Sequence, residues 1–277
     1  MQTLTLAISP CPNDTFIFDA MLHHKIDTED LDFNLVFADV EQLNQAAFQQ
    51  QFDITKLSYH AYAYVAENYV LLRSGSALGN NCGPMLIGKN SLTDEAVEKS
   101  KICVPGKYTT ANLLFSLKYP NAQQKEFVVF SDIEHKLLSD EFDAGVIIHE
   151  NRFTYEQKGL KKIIDLGEFW EQTYKAPIPL GGIAIRRNME LETQLSVERI
   201  IKRSIEFAFA HPESSKEFVA EHSQEMSAAV CKQHIDLYVN TFSLELGSEG
   251  EKAVNTLYKI AQENKIIPAL KKSVFIQ

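Results

Sequence analysis

The sequence predicts an α/β protein of two lobes around a central cleft, with the second lobe inserted into the first. Short apolar strand patterns alternate with helical ones from the first residues, which is the grammar of a mainly parallel sheet covered on both faces. The same alternation restarts near residue 85, and beyond residue 185 the pattern turns helical. Helices with apolar stripes need a surface to pack on, and the first lobe's sheet is the one available.

The first strand is read at 4–8 (LTLAI), where apolar residues alternate, followed by Pro12, Asn13, Asp14 and Thr15 as turn and capping residues before a helix at 16–22. A second strand at 33–37 (FNLVF) runs into Asp39 as a cap, with Val40, Leu43 and Ala47 at helical spacing. A short strand at 52–55 leads to Ser58, which caps a helix at 59–66. The second lobe carries strands at 85–88, 102–105, 127–130, 144–148 and 163–166, with helical patterns between most of them. After a strand-like 182–185, helices are expected at 191–210, 214–222, 227–242 and 249–264, the first striped by Ile200, Ile201, Ile205, Phe207 and Ala208. The expected division is therefore 1–88 plus 184–277 as a larger discontinuous domain and 89–183 as a smaller insert, joined by two hinge strands. Ligands bind at the carboxyl ends of strands in such sheets, so the cleft is expected there.

Composition narrows the function classes. A chain of 277 residues exceeds the roughly 150 of one typical domain and needs no staples. With 27 Lys and Arg against 37 Asp and Glu, the net charge of -10 disfavours a generic nucleic-acid or anionic-membrane surface, while leaving room for a local basic pocket. The longest apolar runs, at 61–66 and 180–185, are about six residues against the ~20 of a spanning helix. The N-terminus lacks a basic region and an apolar run of signal type, so a cytoplasmic protein is expected. Cys11, Cys82, Cys103 and Cys231 are scattered without a CxxC, which suits a reducing compartment and gives no zinc pattern.

Two segments offer ligand chemistry. DITKLS at 53–58 places Thr55, Lys56 and Ser58 where a strand ends and a helix begins, and VPGKYTT at 104–110 does the same with Thr109 and Thr110. Two helix N-termini facing across a cleft can clamp a carboxylate, and the same residues also serve as plain caps. No phosphate-loop or dinucleotide glycine pattern is present. His149 follows the apolar strand 144–148 and precedes Glu150 and Arg152, which places an imidazole at the cleft as a general base or as a structural strand-end histidine. His23, His24, His60, His135, His211, His222 and His234 lie in or beside helical patterns and read as solvated or packed. Cys11, between two prolines at the first strand's exit, reads as a nucleophile or as part of a rigid turn. Trp170, with Phe169 and Tyr174, reads as a packed helix face or a stacking platform.

SPCPNDTF at 9–16, TKLSYHAY at 55–62, LRSGSALGNNCGP at 72–84, VPGKYTTA at 104–111 and GVIIHENRFTY at 145–155 together resemble the 1,4-dihydroxy-6-naphthoate synthase family of the futalosine route to menaquinone. The likeness extends to PLGGIAIRR and to the HPE and YVNTFSL segments of the tail. It implies a fold like type II periplasmic binding proteins and a lyase that converts cyclic dehypoxanthinylfutalosine to 1,4-dihydroxy-6-naphthoate and dihydroxyacetone, with no metal or organic cofactor. It further implies His149 as proton acceptor, and Thr55, Lys56 and Leu57 with Thr109 and Thr110 as substrate-binding segments. In that reading Ser58, Thr109 and Thr110 hold carboxylate or enolate oxygens through hydroxyl and N–H donors. A chorismate-dehydratase-like enzyme of the same pathway and a non-enzymatic solute-binding protein are the alternatives.

Overall fold

The computed structural model describes residues 2–223 and 227–277. Eleven strands are present among the described residues: β1 (Gln2–Ile8), β2 (Leu31–Phe37), β3 (Ile54–Ser58), β4 (Tyr69–Leu71), β5 (Ala77–Gly79), β6 (Met85–Gly88), β7 (Ile102–Val104), β8 (Lys125–Phe127), β9 (Ala144–Ile147), β10 (Lys161–Asp165) and β11 (Ile178–Arg186). They form a six-stranded sheet in the order β2-β1-β3-β11-β4, with β5 also on β11, and a five-stranded sheet in the order β10-β6-β9-β7-β8.

The sheets are less parallel than the alternation predicts. β1 is parallel to β2 and β3, and β7 to β8 and β9, but β11 runs antiparallel to β3, β4 and β5, and β6 antiparallel to β9 and β10. The antiparallel strands are those by which the chain crosses between lobes. Gly181 of β11 pairs with Ser58 at the carboxyl end of β3, and Met85 of β6 with Ile147 at the carboxyl end of β9. A chain arriving through the cleft starts where the neighbouring strands finish, so it must run away from the cleft. For the same reason the changeover between sheets differs from the expected limits at 88 and 184. Residues 85–88 pair in the second sheet and 178–183 in the first.

Strand periodicity divides the core. In β6, Met85 and Ile87 face a cluster with Ile133, Leu137 and Ile147, while Leu86 faces the opposite side with Val104, Val146, Leu114 and Trp170. Leu6 and Ile8 of β1 pack with Phe16, Ile17 and Met21 of the helix Pro12–Leu22 and with Ile200, Ile201, Ile205 and Ala208 of the helix Leu191–Ala210. The tail stripe thus lies on the first sheet as expected, except that Phe207 is half-exposed, with its ring tilted against His211 at 4.7 Å. The helix Gly247–Glu263 covers the other face through Ala253, Val254, Leu257 and Tyr258, in one apolar cluster with Leu57, Leu71 and Ala184. Burying each such side chain contributes about 1.5–3 kcal/mol. Trp170 is fully buried with Tyr174 at 4.6 Å, so it belongs to a packed face.

Several expected elements differ in their bounds: the strand expected at 52–55 is Ile54–Ser58, so Lys56 and Ser58 belong to the strand itself, and that expected at 182–185 is Ile178–Arg186. The strand expected at 127–130 ends at Phe127, before a single 3-10 turn at Phe130–Asp132. The helix expected at 227–242 is two, Ala228–Tyr238 and Thr241–Leu244, because the Asn240 side chain accepts from Phe242 N and starts a new turn.

Candidate active site

A cavity opens at the carboxyl ends of β1, β3 and β9, where the two sheets face each other. Ser9, Asn13 and Asp14 line it from the β1 exit, and Lys56, Leu57 and Ser58 from β3. Thr109, Thr110 and Ala111 come from the start of the helix Thr110–Lys118, Leu180 and Gly181 from β11, and His234 and Tyr238 from the helix Ala228–Tyr238. Ile148 and His149 line it just beyond β9, with Val40, Ala77, Cys82 and Pro84 also in the wall.

His149 is held where β9 stops. Its φ of 56° lies in the left-handed region, which turns the chain out of the strand at a cost of order 1 kcal/mol. The ring is half-buried, edge-on to Phe130 at 5.1 Å, near-parallel to His234 at 6.1 Å and 9°, and its Nδ1 lies 3.5 Å from Cys11 Sγ. Burial opposes the imidazolium, but the Cys11 sulfur, Glu150 and Asp39 outweigh it and hold His149 up to about 9. His149 also lines a second, more polar cavity with Cys11, Asp39, Gln42 and Glu150. It therefore stands as a wall between two spaces.

Asp14 anchors the β1 side. Its carboxylate accepts from Lys56 Nζ at 2.7 Å, Ser9 Oγ at 2.7 Å and Asn13 Nδ2 at 2.8 Å, at 1% exposure. Lys56 is therefore a neutralised partner of a buried pair rather than a free cation, and breaking such a pair is costly because it strands a charge.

Of the expected residues, Lys56, Leu57, Ser58, Thr109, Thr110 and His149 all line this cavity. Thr55 does not: it is fully buried and its hydroxyl donates to Lys56 O at 3.2 Å. Ser58 is the N-cap of Tyr59–Val65 without a side-chain capping bond, because its Oγ accepts from Asn44 Nδ2 and its N–H donates to Asn44 Oδ1. The threonine hydroxyls are also committed within the protein. Thr109 Oγ1 donates to Gly106 O at 3.0 Å and accepts from Asn112 N, and Thr110 Oγ1 donates to Leu180 O at 2.6 Å. What remains for an anion is the Ser58 hydroxyl proton and the first-turn backbone N–H groups of Thr110 and Ala111, so of the expected donors the two threonine hydroxyls are spent within the protein. Besides the Thr110–Leu180 bond, Glu41 accepts from Tyr108 N at 3.2 Å and His60 Nδ1 lies 3.0 Å from Thr109 O, so this segment is tied to the first lobe.

Sequence reasoning missed His234, read as solvated or packed, and did not single out Tyr238. Their signal was the four-residue spacing, which puts both on one helix face with ring centroids 4.6 Å apart. Cys11 reaches the histidine, and Arg152 binds the crossing segment through Gly83 O, Asn81 O at 2.9 Å and Asp165 at 3.1 Å.

A family model described as menaquinone biosynthesis matches residues 4–263. A 1,4-dihydroxy-6-naphthoate synthase of Thermus thermophilus is 40% identical over 276 residues, covering 100% of both chains. One from Streptomyces coelicolor is 38% identical over 274 residues, covering 97% of this chain and 96% of that one. Among solved structures, a protein from Archaeoglobus fulgidus superposes with a TM-score of 0.90 at 34% identity over 96% of this chain and 98% of its own. The periplasmic aliphatic sulphonate binding protein of Escherichia coli gives a TM-score of 0.65 at 13% identity over 97% and 89%, a likeness of fold alone.

Proposed function

The chain belongs to the menaquinone biosynthesis family, and from that premise we propose that it is a 1,4-dihydroxy-6-naphthoate synthase whose reaction begins with proton transfer to His149. The substrate is cyclic dehypoxanthinylfutalosine, a small-molecule carboxylate. Loss of a proton to His149 starts carbon–carbon fragmentation, and the pieces are 1,4-dihydroxy-6-naphthoate and dihydroxyacetone. Aromatisation of the new ring supplies the driving force, so the protein's work is placement and proton transfer.

The observation that carries this reading is the position of His149 in one cavity wall with the helix start at Thr110, where free N–H groups can hold a carboxylate. Lys56, Leu57 and Ser58 form the facing wall from the other sheet. The two bodies on either side of the cleft meet at the crossing segments 80–84 and 166–177, and closure about these segments removes water from the site. Four unpaired thiols suit a reducing compartment and hence a cytoplasmic reaction.

The test is anaerobic incubation of metal-free protein with cyclic dehypoxanthinylfutalosine, followed by mass-resolved chromatography. Wild type should yield 1,4-dihydroxy-6-naphthoate, and His149→Ala should lose about 10²- to 10⁴-fold in kcat with binding largely kept. Near-normal turnover by that variant would remove His149 from the base role. Tight binding by wild type without product would make the chain a binding protein.

A further inference from the structure

The Asp14 network fixes more than a salt bridge. A carboxylate paired with an ammonium group only accepts hydrogen bonds, so the side of Asn13 that faces it is the amide NH2. Asn13 Oδ1 then points away, and it lies 2.9 Å from His234 Nε2. An oxygen acceptor requires a donor, so Nε2 carries the proton and the lone pair of the ring sits on Nδ1. His234 is 0% exposed, and among the described residues Nδ1 has no hydrogen-bond partner, yet the ring lines the cavity that holds His149. Burial, the neighbouring His149 and Lys56 together push His234 well below the usual histidine range, so Nδ1 stays a bare acceptor at working pH. A buried acceptor without a partner is costly, and a ligand donor relieves that cost.

We propose that His234 is a substrate-binding residue, locked by Asp14 and Asn13 in the Nε2-protonated tautomer so that Nδ1 accepts a hydrogen bond from a ligand hydroxyl. The identity of the ligand rests on the functional reading above. A carboxylate has no proton to give Nδ1, whereas the free N–H groups at Thr110 and Ala111 only donate. The cavity therefore sorts for ligands that carry both groups, a hydroxylated aromatic carboxylate, and rejects an aromatic carboxylate without hydroxyls.

The probes are 1,4-dihydroxy-6-naphthoate and naphthalene-2-carboxylate, which keeps the rings and the carboxylate but has no hydroxyl. Wild type should prefer the dihydroxy compound, and His234→Phe should erase about tenfold of that preference. His234→Asn, whose Oδ1 can stand in for Nδ1, should keep part of it. Nitrogen-15 spectra of wild type should show a lone-pair Nδ1 that shifts on binding the dihydroxy compound and not on binding the other. Should His234→Phe fail to fold, Asn13→Leu carries the test, because releasing the lock must mix the tautomers and weaken the same preference. A protonated Nδ1 in wild type, or an unchanged preference in a folded His234→Phe, overturns the proposal. If wild type still turns over substrate in that case, only the role of His234 falls. A wild type that neither turns over substrate nor binds the dihydroxy compound overturns both readings.

Discussion

A base works only without its proton, and His149 is held up to about 9 by the sulfur and carboxylates around it. At neutral pH the free protein therefore carries it mainly as the imidazolium. Because only the neutral ring accepts a proton, kcat/KM should climb roughly tenfold per pH unit from the acid side and level off near 9. Cys11→Ala takes away the neighbour 3.5 Å from Nδ1 and leaves burial less opposed, so the acid limb should move to lower pH by about one unit. A pH profile of the variant that superposes on wild type would show that Cys11 does not tune the base. How far this residue-level picture was legible depends on the kind of contact. His149 was visible because an apolar strand delivers it to the cleft. The hydrogen-bond economy of Thr55, Thr109 and Thr110 was not, because only the folded backbone shows that Lys56 O, Gly106 O and Leu180 O take their hydroxyl protons.

Among the elements, the two crossings set the geometry of the cleft. Gly83 and Gly167 touch backbone to backbone there, and a Cβ built on Gly83 would lie 2.3 Å from Gly167 Cα. The two nearest atoms are both Gly167 backbone, which has no flexible end to give way, and Ile178 Cδ1 follows at 3.0 Å. Gly83→Ala should push the two crossing segments apart, destabilise the protein by about 1–3 kcal/mol in a urea titration, and raise KM as the cleft walls separate. An unchanged midpoint and KM would mean that the crossing tolerates the extra methyl. The strands and helices flanking these crossings were largely readable from periodicity, since Leu4, Leu6 and Ile8 alternate and Ile200, Ile201 and Ile205 share a helix face. The three-residue strands β4 and β5 were missed, although the equally short β7 was read at 102–105. The strand at 85–88 was read with the second run and pairs there, so only the limit drawn at 88 falls on its wrong side.

Across the whole molecule, the apolar stripes of the tail were enough to place it on the first sheet, where Ile200, Ile201 and Ile205 pack with Leu6 and Ile8. No described helix is long and apolar enough to cross a membrane. β11 occupies an interior position between β3 and β4, although it is made from residues 178–186. On the ribosome the second sheet, which spans 85–165, is complete in sequence while the first still lacks its central strand. At about 5–20 residues per second, the edges of β3 and β4 wait roughly 6 to 25 seconds for that strand. Ribosome-held chains that expose residues up to about 170 should protect the second sheet from protease and leave β1 to β4 open to cleavage. Protection of β1 to β4 before β11 emerges would show that the first sheet closes without it. If the order holds, the N-terminal half of this protein spends its first seconds as a client for chaperones, and translation speed between β5 and β11 becomes a determinant of its yield.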